Sequence, residues 1–454
     1  MTTGFWTLDR VADALAQHSD VALPRGNSPL AGISTDTRTI TPGQLFVALV
    51  GERYDAHDKL GDAIRGGAAG LVVSRVPAVG SVGVPVFEVR DTLIALGALA
   101  KLWREAWGRT VVTVAGSNGK TTTKDLIRAA LSGSYEVHAT TGNLNNRIGV
   151  PLTLLAIPPG AEIAVVELGT SIPGEVAILR DIADADIAVV TSVAEEHLEG
   201  FGDLAGVLRE EASCYDGVAV GIAPSSQPEV AAEARRRACR VVTAGVENAY
   251  VAPVRWALEG DGRGSLDLGG VTVFPPVRGL HNLRNTMLAV AVARECGVTD
   301  ALIADGISRM VAPKMRVAWE TVGGATLIND AYNANPGSTR AAIDVLRGTG
   351  AGRQRVIVLG TMRELGSASE RCHDEISQLA LDSGADVVAG IGEFATSLER
   401  VGRGDTRIVA ADSVEALWPE LEPRLAPDAV ILLKASRGVQ LERLVPHITR
   451  WAVG

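Results

Sequence analysis

Residues 111–125 read VVTVAGSNGKTTTKD, and the interpretation of this stretch decides the fold around it. VVTVA has the unbroken apolar character of a strand buried on both faces. TTTKDLIRAALSG has helical spacing and a glycine near its end. A strand that feeds a glycine turn and opens a helix gathers free backbone N–H groups and the positive helix end at one spot, which suits an anion. A strict phosphate loop, G-x-x-x-x-G-K-[ST], has glycine where this chain has Val114. The rest of the pattern is present. Lys120 supplies a charge for β/γ-phosphates and Thr121 a hydroxyl for Mg²⁺. Gly116, Ser117, Asn118, Gly119, Lys120, Thr121 and Thr122 are therefore read as a nucleotide-phosphate cradle rather than an ordinary strand–turn–helix connection.

Outward from this loop the chain keeps a βα rhythm. EVHAT, EIAVVEL, DIAVVTS and GVAVGI follow it, separated by helical segments, which predicts a mostly parallel sheet covered on both faces. Before it, LFVAL (45–49), GLVVS (70–74) and VFEV (86–89) read as strands. KLGDAIRGGA and TLIALGALAKLWREAW read as amphipathic helices, and Trp107-Gly108-Arg109 marks a break. From about Pro313 a further series begins, with RVIVLG, DVVAGIG, RIVAA and AVILLKA spaced for right-handed crossovers. The pattern predicts three α/β domains, over 1–108, 109–312 and 313–454.

Composition narrows the function classes. The 454 residues carry a formal net charge of -10, which argues against a general nucleic-acid binder, since phosphate neutralisation needs a basic surface. Cys214, Cys239, Cys296 and Cys372 lie far apart without metal-ligand spacing and are expected to be reduced, mostly buried thiols. MTTGFWTLDRVADAL is not read as a signal peptide, and no apolar run reaches membrane-spanning length. A cytoplasmic protein is expected.

AGSNGKTTTK closely resembles the G-[ST]-N-G-K-T-T loop of the Mur ligases, ATP-dependent amide-forming enzymes of peptidoglycan precursor synthesis, whose loop also lacks the first glycine. TGNLNNRIGVPLTLL (141–155), ELG (167–169), HLEGFG (197–202), HNLRN (281–285), NDAYNANPGS (329–338) and KASRGVQLE (434–442) fall in that family's order across nearly the whole chain. STDTRTITPGQLFVALVGERYDAHD resembles the family's UDP-sugar-binding domain, and YNANP and GNLNNRIGVP resemble the branch that accepts a dipeptide. The resemblance implies a UDP-substrate-binding-like N-terminal domain, a central P-loop ATPase-like parallel sheet and a Rossmann-like C-terminal domain that takes the amine. It implies ATP and Mg²⁺ as cofactors. It further implies a UDP-linked muramoyl peptide or analogue as the carboxylate, D-Ala-D-Ala or another amine as the nucleophile, and a monomer.

Residue by residue, the resemblance makes Lys120, Glu167, His197 and Glu211 catalytic, and Thr121, Glu167, His197 and Glu211 the Mg²⁺ ligands. His281, Asn282, Asn285, Arg316 and Asp330 join the cradle in binding ATP; asparagine offers a donor and an acceptor suited to an adenine edge, and Asp330 matches a ribose contact. Thr35, Asp36, Thr37 and Arg38 are the candidates for uridine and its phosphates. Asn143, Asn145, Asn146, Asn333, Asn335, Lys434, Ser436 and Arg437 complete the substrate set.

The sequence departs from the family pattern at one chemically important place. Fourteen positions after His197, where the family has a lysine that is carbamylated to hold a second Mg²⁺, the chain has Glu211. A carboxylate is already anionic and needs no CO₂. Ser192, Ala56, Asn329 and Ala435 also replace the usual Asn, Gly, Asp and Gly. These changes leave open a paralogue that joins a different carboxylate and amine, for example in natural-product assembly. A folate-polyglutamate-type ligase shares the central-domain features, but the N-terminal UDP-sugar-like segment and YNANP speak against it. In a non-catalytic nucleotide-binding protein Glu211 would mark decay of the metal site, against which Glu167, His197 and the complete G-K-T-T loop are retained.

Overall fold

A computed structural model describes residues 4–75 and 83–453. They fall into two compact units. One comprises residues 1–113, 135–170 and 175–186; the other comprises 114–134, 171–174 and 187–454.

The first unit opens with a parallel sheet of four strands in sequential order, β1 (Gly32–Ser34), β2 (Gln44–Val47), β3 (Gly70–Val73) and β4 (Val86–Glu88). Phe46, Leu71 and Val73 pack on Ala56, Leu60 and Ala63 beneath it. The helix Thr92–Trp107 follows, capped by Asp91 at its start. It ends where Gly108, at φ 63°, takes a left-handed turn that side chains disfavour, so the break expected at 107–109 is a helix C-terminus. β5 (Thr110–Ala115) belongs to this unit through its first residues and to the second through its last. β6 (Val137–Ala139) and β7 (Ile163–Glu167) pair in parallel, and all five β7 residues are buried.

Arg104 ties this unit's helices together. It is 5% exposed. Its Nε donates to the Ala183 carbonyl at 3.0 Å, and Nη2 donates to the Asp184 carbonyl and to Asp186 Oδ2. Arg104→Leu would strand those carbonyls, so urea unfolding is expected to show a loss of about 3 kcal/mol.

The second unit carries β8 (Ile187–Val190), β9 (Val220–Pro224) and β10 (Arg240–Ala244), parallel in the order β10-β9-β8. An antiparallel set follows: β11 (Arg255–Leu258), β12 (Gly264–Asp267) and β13 (Thr272–Val273). The helix Leu280–Glu295, almost wholly buried from Asn285 to Ala293, packs along the helix Lys120–Leu131. The last sheet has β14 (Ala318–Val322), β15 (Ala325–Asp330), β16 (Arg355–Gly360), β17 (Val387–Ile391), β18 (Ile408–Ala411) and β19 (Val430–Lys434), ordered β14-β15-β19-β16-β17-β18. β14 is antiparallel to β15 and the other pairs are parallel.

Period-2 alternation divides this sheet's core into two layers. Ile357, Leu359 and Leu432 face one cluster, and Val356, Val358 and Leu433 face the other. Both faces are dry, which is why RVIVLG and AVILLKA carry no polar alternation. The cysteines differ from expectation in burial: Cys214 and Cys372 are buried, Cys296 is half-buried and Cys239 is exposed, all as free thiols. Among the described residues no helix is long and apolar enough to cross a membrane.

Candidate active site

The phosphate loop has the geometry its sequence implies. Val114 is a buried residue of β5, so the missing glycine lies within the strand, before the turn begins. Gly116 sits at φ 118°, and a Cβ there would fall against the Thr191 hydroxyl and within 2.8 Å of Thr191 N. Gly119, at φ 85°, opens the helix Lys120–Leu131, and a Cβ would lie 2.6 Å from Asn285 Nδ2. Both glycines answer to backbone conformation and to close packing at once.

Hydrogen bonds fix the loop from beneath. Ser117 N donates to the Ser192 carbonyl (2.7 Å), and Thr191 Oγ1 donates to the Asn118 carbonyl (2.6 Å). Ser192, one of the departures from the family pattern, takes the Asn118 N–H on its Oγ at 3.2 Å. Gly116 N donates to Glu211 Oε2 at 2.7 Å. Lys120 Nζ donates to the Gly116 carbonyl at 2.5 Å and lies 3.9 Å from Glu196 Oε1. Thr122 is buried in the same first helical turn.

Two carboxylates, Glu211 and Glu196, crowd this loop's underside and flank. Glu211 is 1% exposed, and burial pushes its pKa up to about 7; Lys120 and the Gly116 N–H oppose the rise, and Glu196 and Glu210 add to it. Glu196 is likewise pushed up by burial, against the pull of Lys120 and His197. Glu210 turns elsewhere and accepts the Gly174 N–H at 2.8 Å. Adjacent helical residues diverge by about 100°, so the two neighbours serve different loops.

The C-terminal segment reaches the same loop. Arg316 Nη2 donates to Thr121 Oγ1 (3.0 Å) while its guanidinium lies over the Tyr332 ring, 4.2 Å from the centroid. Asn335 caps the helix Pro336–Arg347 with its Oδ1, and its Nδ2 donates to Asn118 Oδ1 at 2.8 Å and Glu196 Oε2 at 3.4 Å. His197, at φ 49°, pairs through Nδ1 with Glu364 Oε2 at 2.5 Å. Burial opposes charge on this imidazole, but the Glu364 hydrogen bond and the neighbouring carboxylates outweigh it and hold the pKa above its ordinary value.

Other expected residues hold one another. Lys434 Nζ meets Asp330 Oδ2 at 2.5 Å in a buried pair, and Asp330 Oδ1 accepts the Val317 N–H. Burial, aided by Lys434 and Arg284 and opposed by Asp330, keeps His281 neutral with a pKa of about 4. Asn285 donates to Asn282 Oδ1 at 3.1 Å, and Asn282 donates to the Arg278 carbonyl. In the first unit, Glu167 ends β7 at 2% exposure, with Oε1 accepting from Asn145 Nδ2 at 2.9 Å. Asn146 Oδ1 caps the Ile148 and Gly149 N–H groups, and Asn143 offers its carbonyl to Asn145 N. Asp36 grips the largely exposed Arg38 guanidinium through both carboxylate oxygens, and that hydrogen bonding holds the Asp36 pKa at about 2. Thr35 precedes this pair in sequence and Thr37 lies between its members.

A pocket of about 180 Å³ adjoins these groups in the second unit. Glu196, His197, Asn333 and Asn335 line it, with Ser436 and Arg437 from the loop after β19. Arg363 and Glu364, from the loop after β16, complete it. Glu196, Arg363 and Glu364 are site residues that sequence reasoning passed over. One available signal was the position of Arg363 and Glu364 beyond the carboxyl end of a buried parallel strand, where α/β sheets bind ligands.

No group of three or more His, Cys, Asp or Glu side chains gathers as a metal cage among the described residues. Mg²⁺ beside a nucleotide takes one or two carboxylates along with phosphates and water, and the donors at the loop (Thr121 hydroxyl, Glu196 and Glu211 carboxylates) are the hard oxygens it prefers.

Comparison with known proteins agrees with this arrangement. Residues 114–293 match the Mur ligase middle domain and 315–437 the Mur ligase glutamate ligase domain. The UDP-N-acetylmuramoyl-tripeptide–D-alanyl-D-alanine ligase of Escherichia coli is 35% identical over 96% of this chain and 98% of its own. The Bacillus subtilis enzyme of that name is 34% identical over 92% and 93%. The crystal structure of MurF from Acinetobacter baumannii superposes with a TM-score of 0.88 at 28% identity, over 98% of this chain and 99% of that one. MurF ligase from Thermotoga maritima, solved in complex with ADP, gives 0.83 at 27% identity over 93% and 98%. With both domains matched and relatives similar along nearly their full length, the chain belongs to the Mur ligase family.

Proposed function

We propose that this protein is an ADP-forming ligase that adds D-alanyl-D-alanine to a UDP-N-acetylmuramoyl-tripeptide in peptidoglycan precursor synthesis. The observation that carries the reading is the direct bond between phosphate loop and amine-side helix, Asn118 to Asn335, at the edge of the pocket. Nearly full-length similarity to ligases of that name supports it.

On this reading residues 1–108 take the UDP end of the acceptor, 109–312 take ATP, and 313–454 take the incoming amine. The substrate carboxylate oxygen attacks the γ-phosphorus, ADP leaves, and an acyl phosphate forms. The dipeptide nitrogen then attacks the acyl carbon, the C–O bond to phosphate breaks, and an amide remains. Lys120 offsets charge on the transferring phosphoryl group. Thr121 and Glu211 would hold Mg²⁺, which when bound neutralises the phosphates. His197 bonds Glu364 Oε2, which with the neighbouring carboxylates holds its pKa above the ordinary value against burial, and so favours an anionic neighbour over a cation. A soluble monomer in the cytoplasm, where ATP and nucleotide sugars are made, completes the proposal.

The test is ADP and phosphate release with ATP, Mg²⁺, UDP-N-acetylmuramoyl-tripeptide and D-alanyl-D-alanine. One ADP, one phosphate and one amide product per turnover are expected. Turnover with a different carboxylate–amine pair alone would establish the paralogue suggested by Glu211. No turnover with any pair, glutamate and a folate included, would sink the ligase reading.

A further inference from the structure

The geometry points to Arg363 as the residue that reads the terminal carboxylate of the incoming dipeptide. The inference rests on the ligase reading and deepens it, because it says how the pocket selects its amine.

The charges lining the pocket can be assigned one by one. Glu364 is paired with His197 at 2.5 Å. Glu196 is buried and turned toward Lys120 and the Asn335 amide. Arg437 is matched by Glu442 Oε1 at 2.7 Å and also donates to the Met315 sulfur. Arg363 differs from all of these. Its Nη2 donates to the Gly438 carbonyl at 3.2 Å, and among the described residues it makes no ion pair.

The root of this arginine is nevertheless fixed. Its backbone N–H donates to Ser436 Oγ at 3.0 Å, and the preceding Met362 N–H donates to the buried His373 ring at 3.0 Å. A guanidinium that is exposed at a pocket wall and rooted by its backbone, with Glu364 as a charged neighbour but no carboxylate in ion-pair contact, is suited to an anionic ligand group. A planar carboxylate fits its forked donors.

The chemistry of the substrate supplies that anion. A dipeptide enters as a zwitterion whose amine must approach the acyl carbon while its carboxylate stays away. The pocket's own carboxylates, Glu196 and Glu364, repel the substrate carboxylate. Arg363 offsets that repulsion, and an amine lacking the carboxylate gains nothing from it.

The experiment compares D-alanyl-D-alanine with its C-terminal amide as amine, for wild type, Arg363→Ala and Arg363→Lys, with KM and kcat read separately. Wild type should show a KM about 10- to 100-fold lower for the free acid than for the amide. Arg363→Ala should raise the free-acid KM by a similar factor, leave the amide KM unchanged, and hold kcat within about 3-fold. Arg363→Lys, which keeps the charge without the fork, should recover part of the preference. Equal loss on both amines in Arg363→Ala overturns the inference, as does a wild type that uses both amines equally well. A wild type that turns over neither amine overturns the proposed function, and this inference with it.

Discussion

Lys120→Ala is expected to lower kcat by about 10²- to 10⁴-fold while the protein still folds. In phosphoryl transfer the protein acts mainly by positioning and by stabilising charge, and one cation in a dry site supplies factors of this size. The ammonium is held over the loop by the Gly116 carbonyl at 2.5 Å and the Ser117 carbonyl at 3.4 Å, so its position is set by the same turn that presents the N–H groups. The loop itself does not depend on the lysine. Its Ser117, Asn118 and Gly116 backbone groups bond to Ser192, Thr191 and Glu211. Glu196 will respond, because burial already pushes its pKa up and Lys120 is the charge that most opposes this. In the variant it should be neutral over a wider pH range. Single-turnover measurement of ADP formation, with a thermal melt as the folding control, decides the matter. Near-normal turnover would remove the loop from the chemistry and with it the ligase reading.

How much of this was legible in the sequence follows from what each feature depends on. The parallel strands were readable because both faces of RVIVLG and AVILLKA are buried, leaving nothing but apolar residues to see. The set β11, β12 and β13 was not, since RWAL is exposed or half-buried throughout and GSLD buries only Leu266. β14 went unread for the same reason: AWETV lies at a sheet edge with every residue at least partly exposed. The strand–glycine turn–helix at 110–131 was readable because its backbone geometry is encoded locally by glycine spacing. The pairing of Asp330 with Lys434 joins residues far apart in sequence, and no local pattern encodes it. Arg363 and Glu364 sit in a loop whose sequence, TMREL, has no periodicity; only the return of Ser436 and the approach of His197 give those charges a meaning.

Glu211 is where sequence and structure together make the sharpest demand. The chain has an encoded carboxyl group where the family has a carbamylated lysine, and the structure commits one of its oxygens to the Gly116 N–H. Glu211→Ala would leave that buried N–H without an acceptor, at about 1–3 kcal/mol, and free the loop to shift. A shift of about 1 Å at a reacting centre costs roughly 10²-fold in rate, so kcat should fall by about that factor. Glu211→Gln keeps an acceptor oxygen for Gly116 but loses the charge. It should therefore hold the loop and fold normally while requiring more Mg²⁺ for half-maximal turnover.

Stability gives a second readout with a definite sign. Folding raises this carboxyl's pKa from 4.5 to about 7, chiefly through burial, so the ionised form is disfavoured in the folded state. The penalty is absent below about pH 4.5, grows as pH rises, and levels off above about 7, reaching on the order of 3 kcal/mol. Glu211→Gln cannot ionise, so its melting temperature should exceed that of wild type by a margin that widens from pH 5 to pH 8. Wild-type turnover should also be indifferent to dissolved bicarbonate, because no carbamate has to form. Turnover at graded Mg²⁺ in CO₂-depleted and bicarbonate-supplemented buffer tests both halves together. Stimulation of the wild type by bicarbonate would show that an anion other than Glu211 is needed at this place. A Gln variant with the wild type's Mg²⁺ dependence would confine Glu211 to holding Gly116, with the metal held by other oxygens.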